Sequence, residues 1–176
     1  LSKSGVTVPR RGYSALHLMP VDTKEEPAAA VHESAQGGGF TLENAALEVT
    51  VDKATGCITS LKAKKSGFES IASGACGNQL QFFHDNPKDY DAWNIDPGTL
   101  DVKPETIEKA DSVETVTASN GAPAVRVTSH FQQSKFVQTI SLSPESDIVD
   151  VDNEIDWHES HILLKAAFPV AATGPF

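Results

Sequence analysis

From Phe40 onward the chain alternates. Leu47, Val49 and Val51 fall on one side of an extended backbone, and Glu48, Thr50 and Asp52 fall on the other. A period of two marks a half-buried β-strand. Asp52 to Gly56 predicts a hairpin connection, because Gly56 takes positive φ without steric cost, and Cys57 to Ala63 returns as the partner strand. Lys64 to Gly67 turns the chain, Phe68 to Ile71 makes a short strand, and Gly74 to Asn78 turns it again. Gln79 to His84, with Leu80, Phe82 and Phe83, is a strong strand. Alternation resumes weakly around Val113 to Thr117 and strongly in Ala124–Phe131, Ser134–Leu142 and Val149–Trp157. Asn120-Gly121 and Ser143 to Ser146 supply turns. Ile162 to Val170 is almost wholly apolar and reads as a central strand. About eight short strands at roughly ten-residue spacing predict an all-β fold, an antiparallel sandwich or barrel. The expected core includes Leu47, Val49, Phe82, Val125, Val127, Ile140, Val149, Val151 and Leu164.

Ahead of this pattern lie two short extended candidates, Val6 to Val8 and Tyr13 to Met19, on either side of a turn at Pro9 to Gly12. They define an N-terminal β segment over residues 1–21. Residues 22–39 carry Glu25-Glu26-Pro27, a short alanine run and Gly37-Gly38-Gly39, with almost no large apolar side chains. That composition predicts a flexible linker or long loop, with at most one helical turn over Ala28 to Val31. The β-sandwich domain then occupies residues 40–176. The chain starts at Leu1 and stops at Phe176 directly after an apolar segment, so it is read as a piece of a longer protein.

Charge narrows the function classes. Lys and Arg number 14 against 24 Asp and Glu, a net charge of −10. Nucleic-acid affinity rests on clustered cations, and an anionic membrane surface asks for the same, so neither partner is expected. No apolar run approaches the roughly 20 residues of a membrane-spanning helix. Hydrophobic content of 39% is enough for a core. Cys57 and Cys76 are too few for a disulfide scaffold; two buried thiols is the plain reading, and a single disulfide, if the domain is exported, is the other, so whether they pair stays open. The compartment stays open, with the cytoplasm favoured over periplasm or secretion.

Several candidate sites fail on geometry. Asp150, Asp152, Glu154 and Asp156 lie on one strand face, where alternate residues are roughly 6.6 to 7 Å apart. Calcium wants oxygens converging at about 2.3 to 2.6 Å, so this is a solvated face and not a metal site. Trp157-His158-Glu159-Ser160-His161 is one residue short of the zincin spacing, and a strand would turn His158 and His161 to opposite faces. No metal ligand is assigned. The long loop from Asp85 to Pro104 is the richest stretch, with Asn86-Pro87, Asp96-Pro97, Tyr90, Trp93 and several acids. Long loops in compact domains are uncommon and often functional. Carboxylates and amides hydrogen-bond sugar hydroxyls while an aromatic face packs on ring C–H groups; the plain alternative is a loop pinned by a buried Trp93.

The same stretch, Leu80-Gln-Phe-Phe-His-Asp-Asn-Pro-Lys-Asp-Tyr-Asp-Ala-Trp-Asn-Ile-Asp96, resembles the N-x-L-x-x-F-x-D-x-P-x-x-W/Y-D-A-W-D-I-D segment of glycoside hydrolase family 38, the α-mannosidases. Leu42 to Leu61 looks like the opening hairpin of that family's β-sandwich. Asp156-Trp-His-Glu-Ser-His-Ile-Leu-Leu-Lys-Ala-Ala-Phe-Pro-Val170 is similar to its D-W-x-E-x-x-x-L-L-K-x-x-F-P strand, and Val8 to Leu18 looks like the preceding small β segment. Asn94 departs from the pattern, which has an acid there, and so does the glycine-rich stretch from Ala28 to Gly39.

The resemblance implies a partial, galactose-mutarotase-like supersandwich with a short N-terminal β arm, truncated at its C-terminal end. It implies a bacterial-type retaining α-mannosidase whose catalytic domain precedes Leu1 and carries the aspartate nucleophile and the zinc site. No nucleophile and no zinc ligand map onto this chain. The expected role is support of that catalytic domain, with Asp91, Trp93 and Asp96 binding substrate, a mannose-containing oligosaccharide, at the pocket rim. Two other readings remain: a stand-alone carbohydrate-binding module, and a mutarotase-type enzyme using His158, Glu159 and His161 in one cleft.

Overall fold

The computed structural model describes residues 29–34, 37–90 and 93–172. Twelve strands run through them: β1 (Ala30–Glu33), β2 (Gly39–Glu43), β3 (Leu47–Asp52), β4 (Ile58–Ala63), β5 (Phe68–Glu69), β6 (Gln79–His84), β7 (Glu105–Thr106), β8 (Ser112–Thr117), β9 (Pro123–Phe131), β10 (Ser134–Leu142), β11 (Val149–Asp156) and β12 (Ile162–Ala167). They form three antiparallel sheets, ordered β1-β2-β3-β4-β5, β11-β10-β9-β8 and β12-β6-β7.

Strand periodicity decides what each sheet buries. In β3, Leu47, Val49 and Val51 face inward while Glu48, Thr50 and Asp52 do not. They meet Val125 and Val127 of β9 and Ile140 and Leu142 of β10, with Phe40, Leu42, Ile58 and Ile71 completing the cluster. The inner face of the four-stranded sheet continues past this cluster to Phe131 and Phe136, which pack on Leu80 and Phe82 of β6. Phe82 stacks on Phe131 with ring centroids 3.7 Å apart and meets Phe136 edge-on at 5.6 Å. One sheet therefore faces two others, and the molecule is an all-β, two-layer antiparallel assembly, as the alternation predicted.

The hairpins close by local chemistry. Asp52 Oδ1 accepts from Ala54 N–H at 3.0 Å, Thr55 N–H at 2.7 Å and the Thr55 hydroxyl at 2.7 Å, which fixes the β3–β4 turn. Burial acts to raise the Asp52 carboxyl, but the Thr55 and Ala54 donors outweigh it and hold the group below its ordinary range. Gly56 sits at φ 74°, and a Cβ there would lie 2.3 Å from Val127 Cγ1, so backbone conformation and packing both require glycine. Asn44, buried between β2 and β3, crosses to the other sheet. Its Nδ2 donates to Ser143 O and Ser146 O, both at 2.8 Å, and its Oδ1 accepts from Ala46 N–H and Leu47 N–H.

Several expectations need correction. Within the stretch read as linker, Ala30–Glu33 forms β1, paired along its length with β2, and Ala28 to Val31 makes no helical turn among the described residues. Backbone bonds to the free edge of β2 hold it, and Lys53 Nζ lies 2.9 Å from Glu33 Oε1 at the surface; a local composition reveals neither. The N-terminal segment 1–21 and residues 22–28 lie outside the described residues. Cys57 and Cys76 are not free thiols. They form a disulfide across a sequence separation of 19, because the antiparallel bridge between Ile58 and Gly77 brings their neighbours side by side. Finally, β12 is not central: among the described residues it pairs with β6 alone. Leu164, like Val149 and Val151, is half-buried, while the other six expected core residues are buried. An apolar run reports what its faces touch and says nothing of how many neighbours it hydrogen-bonds.

Candidate functional site

The loop from Asp85 to Pro104 leaves β6 and returns into β7, so both ends are tied to one strand pair. At its start, Asp85 N–H donates to His161 O at 2.8 Å, extending the β6–β12 pairing by one step. At its end, His84 Nε2 lies 3.2 Å from Glu105 Oε1. Between them the loop is organised around Asp96. Its Oδ2 accepts from Lys88 N–H and its Oδ1 from Asn94 Nδ2, both at 2.8 Å. The Tyr90 carbonyl accepts from Trp93 N–H at 3.0 Å and Asn94 N–H at 3.2 Å, with Tyr90 itself at φ 64°. This left-handed residue turns the chain sharply back toward Asp96.

The result is an ordered scaffold with an exposed tip. Trp93 is 89% exposed, Tyr90 is nearly as open, and Ile95, Leu100 and Val102 are also exposed. A buried anchoring Trp93 is therefore excluded. Monomeric surfaces tolerate isolated apolar residues, and this one loop exposes two aromatics and three aliphatics. Of the three residues expected at a substrate, Trp93 is exposed, Asp96 accepts two hydrogen bonds from within the loop, and Asp91 lies outside the described residues. Asn94, where the resemblance has an acid, donates to Asp96. An aspartate there would have no proton to give and would set two carboxylates against each other, so the departure fits this loop's own bonding.

The second cluster, around Trp157, resolves differently. Glu159 Oε1 accepts from Gln133 N–H at 3.0 Å and from the buried Ser134 hydroxyl at 2.9 Å, while Ser134 Oγ accepts from His158 N–H. These bonds lock the β9–β10 turn, where Gln132 adopts φ 51°. His158 Nε2 sits 3.0 Å from Asp156 Oδ1 at the surface. Trp157 packs edge-on against Phe136 at 6.3 Å. Glu159 and His161, but not His158, line a cleft of about 710 Å³ with Asp85, Trp157 and Leu164. Nothing local marks Glu159 as a turn clamp, since its partners lie about 25 residues away on another hairpin. The Asp150, Asp152, Glu154 and Asp156 face is exposed, as expected of a solvated strand. Among the described residues, no group of three or more His, Cys, Asp or Glu is placed to hold a metal ion.

Residues 42–176 match the Glycosyl hydrolases family 38 C-terminal domain. The chain is 32% identical over 179 residues to Alpha-mannosidase 2C1 of Mus musculus, covering 97% of this chain and 16% of that protein. It is 32% identical over 173 residues to Alpha-mannosidase 2C1 of Homo sapiens, covering 93% and 16%, respectively. Alpha-mannosidase G of Dictyostelium discoideum is 24% identical over 175 residues, covering 91% and 16%. The chain thus spans 16% of the length of these curated relatives. All three are eukaryotic, so they lend nothing to the bacterial type expected above.

Proposed function

Because this chain belongs to glycosyl hydrolase family 38 as a C-terminal domain, we propose that it is the non-catalytic β-sandwich portion of a retaining α-mannosidase that hydrolyses terminal α-mannose. Its match to relatives named as α-mannosidases supports the reaction class. In that enzyme the nucleophile and the zinc ion implied by the resemblance belong to a catalytic domain outside this chain. The sandwich supports that domain, and the loop from Asp85 to Pro104 shapes the rim of its pocket. Retaining hydrolysis needs two carboxylates about 5 to 5.5 Å apart and a closed, positioned sugar. A loop at the rim contributes to the second need, by packing an aromatic face on the sugar and excluding water.

The observation that carries the loop's role is the 89% exposure of Trp93 on a loop braced by Asp96. An indole so placed contributes little to this domain's own core and is free to meet a sugar or the catalytic domain. Asp91 is proposed beside it at the same seam.

Trp93→Ala in the full-length enzyme tests this. We expect kcat/KM to fall tenfold or more, about 1.4 kcal/mol or greater of lost transition-state stabilisation, with little movement in Tm. A large drop in Tm with unchanged kcat/KM of the folded fraction would make Trp93 a structural contact only. The stand-alone binding-module reading draws on the same exposed indole. Calorimetry of mannobiose on the 176-residue chain separates the two, since only a self-sufficient module binds without its neighbour.

A further inference from the structure

Between Lys88 and Asp96 the loop has no core of its own. Every described residue of that stretch is exposed except Asp96, which is half-buried. Apolar burial therefore cannot hold the turn that carries Trp93, and polar bonds have to offset the entropy of ordering it.

Asp96 is where those bonds meet. Its Oδ2 accepts from Lys88 N–H, closing the stretch end to end, and its Oδ1 accepts from Asn94 Nδ2, both at 2.8 Å. Its own carbonyl accepts from Thr99 N–H at 3.2 Å, which ties the turn to the half of the loop that returns to β7. Pro97 follows, so the Asp96 backbone favours extended conformations, and that limits the directions its carboxylate can take. An ionised acceptor makes the stronger kind of hydrogen bond, and here one carboxylate serves donors on either side of Trp93 in the chain. Trp93 N–H and Asn94 N–H both donate to the Tyr90 carbonyl, and Asn94 is the residue whose side chain Asp96 holds. The indole is exposed, so the backbone beneath it sets where it stands.

We propose that Asp96 is a positioning residue for the mannosidase reaction, resting on the reading of this loop as the pocket rim. Its carboxylate holds Lys88 and Asn94 together so that Trp93 is presented in one place. It governs kcat/KM through the indole and does not touch the sugar, since each of its oxygens already accepts from the loop's own donors. An aromatic face packed on a sugar contributes most when it is held near its bound position beforehand. Losing the brace lowers the rate and leaves the domain folded, because no buried side chain leaves with it.

The test is a double-mutant cycle in the full-length enzyme on p-nitrophenyl α-mannoside. Asp96→Ala should lower kcat/KM by roughly tenfold, with Tm little changed. In the Trp93→Ala background the same substitution should lower it by no more than about twofold, because a residue that acts through the indole has nothing left to position. A polarity swap is the rescue. Asn94→Asp alone sets two carboxylates together and should lose about as much as Asp96→Ala. Asn94→Asp combined with Asp96→Asn should recover to within about threefold of the parent, because the amide now at position 96 accepts from Lys88 N–H and donates to the carboxylate at position 94. A full additional loss in the Trp93→Ala background would mean that Asp96 meets the sugar itself, and overturns the proposal. So does parent-like activity of Asp96→Ala, or a swap no better than its single members.

Amide exchange in the 176-residue chain reads the brace without activity. Lys88 N–H should exchange roughly tenfold faster in Asp96→Ala and slow again in the swap. If Lys88 responds in this way while Trp93→Ala is fully active, the rim reading fails and the kinetic role of Asp96 fails with it. If Trp93→Ala is impaired and Lys88 does not respond, the role of Asp96 fails alone.

Discussion

Two ends of the same four-stranded sheet, its inner strands and its outer strand β11, carry the same alternation and meet different fates. On the inner strands Val125, Ile140 and Leu142 are wholly buried against β2 and β3. On β11, Val149 and Val151 touch the same cluster but stay half-buried, and Ile155 is 46% exposed; in the neighbouring sheet, Phe168 and Val170 beyond β12 are exposed as well. The side chains are equally apolar; the difference lies in what stands opposite. β9 and β10 have a strand on each side and a second layer above them, whereas β11 and β12 are edges among the described residues. An apolar stripe is a demand for cover, and the fold meets that demand only where a facing sheet exists.

The sharpest break of this comparison is a matched pair of truncations. Ile140→Ala should lose about 2 to 5 kcal/mol in urea unfolding, since the methylenes leave a cavity the packed layers cannot close. Ile155→Ala should cost under about 1 kcal/mol, because much of its surface already meets water. Equal losses would show that β11 is covered in solution and that the two ends do not differ.

The Cys57–Cys76 disulfide belongs to the well-packed end, where it ties the β3–β4 turn to the chain entering β6. For a loop of this size the chain-entropy model gives about 3 kcal/mol. A Cys57→Ser, Cys76→Ser double variant should therefore lower the urea midpoint, and a reductant should do the same to the parent chain and nothing to the variant. An unchanged midpoint would mean that the packed layers alone hold this corner.

Asn44 measures how much of the packing is polar. Asn44→Ala removes bonds to two hairpin turns and strands Ser143 O and Ser146 O, an expected loss of about 1 to 3 kcal/mol. Asn44→Asp should fare no better, because a carboxylate cannot donate to those carbonyls. A neutral outcome for both would show that water replaces the side chain.

The smallest effect is a pH dependence. Burial acts to raise the Glu69 carboxyl, but the Ser60 hydroxyl and the backbone N–H groups of Ile71 and Leu61 outweigh it, holding the group below its ordinary value of 4.5. A depressed folded-state value means that the stabilisation is complete above the unfolded value and is lost as pH falls through the folded one. Tm should thus be flat from neutrality to about pH 5 and decline below 4.5, with Glu69→Gln flattening part of that decline. Asp52 adds to the same acid limb in the same direction.

The loop and the Trp157 cluster show how far the candidate sites were legible. Asp85 to Pro104 stood out because prolines and acids interrupt a strand pattern, and the structure bears out a long irregular loop there. Asp96 could be named from sequence as polar and near Trp93, but not as the acceptor for Lys88 and Asn94, since that depends on the left-handed turn at Tyr90. Asp85 was invisible as a cleft residue, because His161, whose carbonyl holds its N–H, lies just before β12, more than seventy residues later.

The amino-acid sequence by itself determined the all-β class, most strand positions and the turns at Gly56 and Gly121, because side-chain alternation and left-handed glycines are local properties. It also determined the family, through residues spread over nearly the whole chain. Only the tertiary structure decided that Ala30–Glu33 is a strand, that Cys57 meets Cys76, that Glu159 clamps a distant hairpin and that β12 ends as an edge. Each depends on a partner far away in the chain, and backbone pairing, disulfide formation and burial are properties of two segments at once, which no single segment encodes.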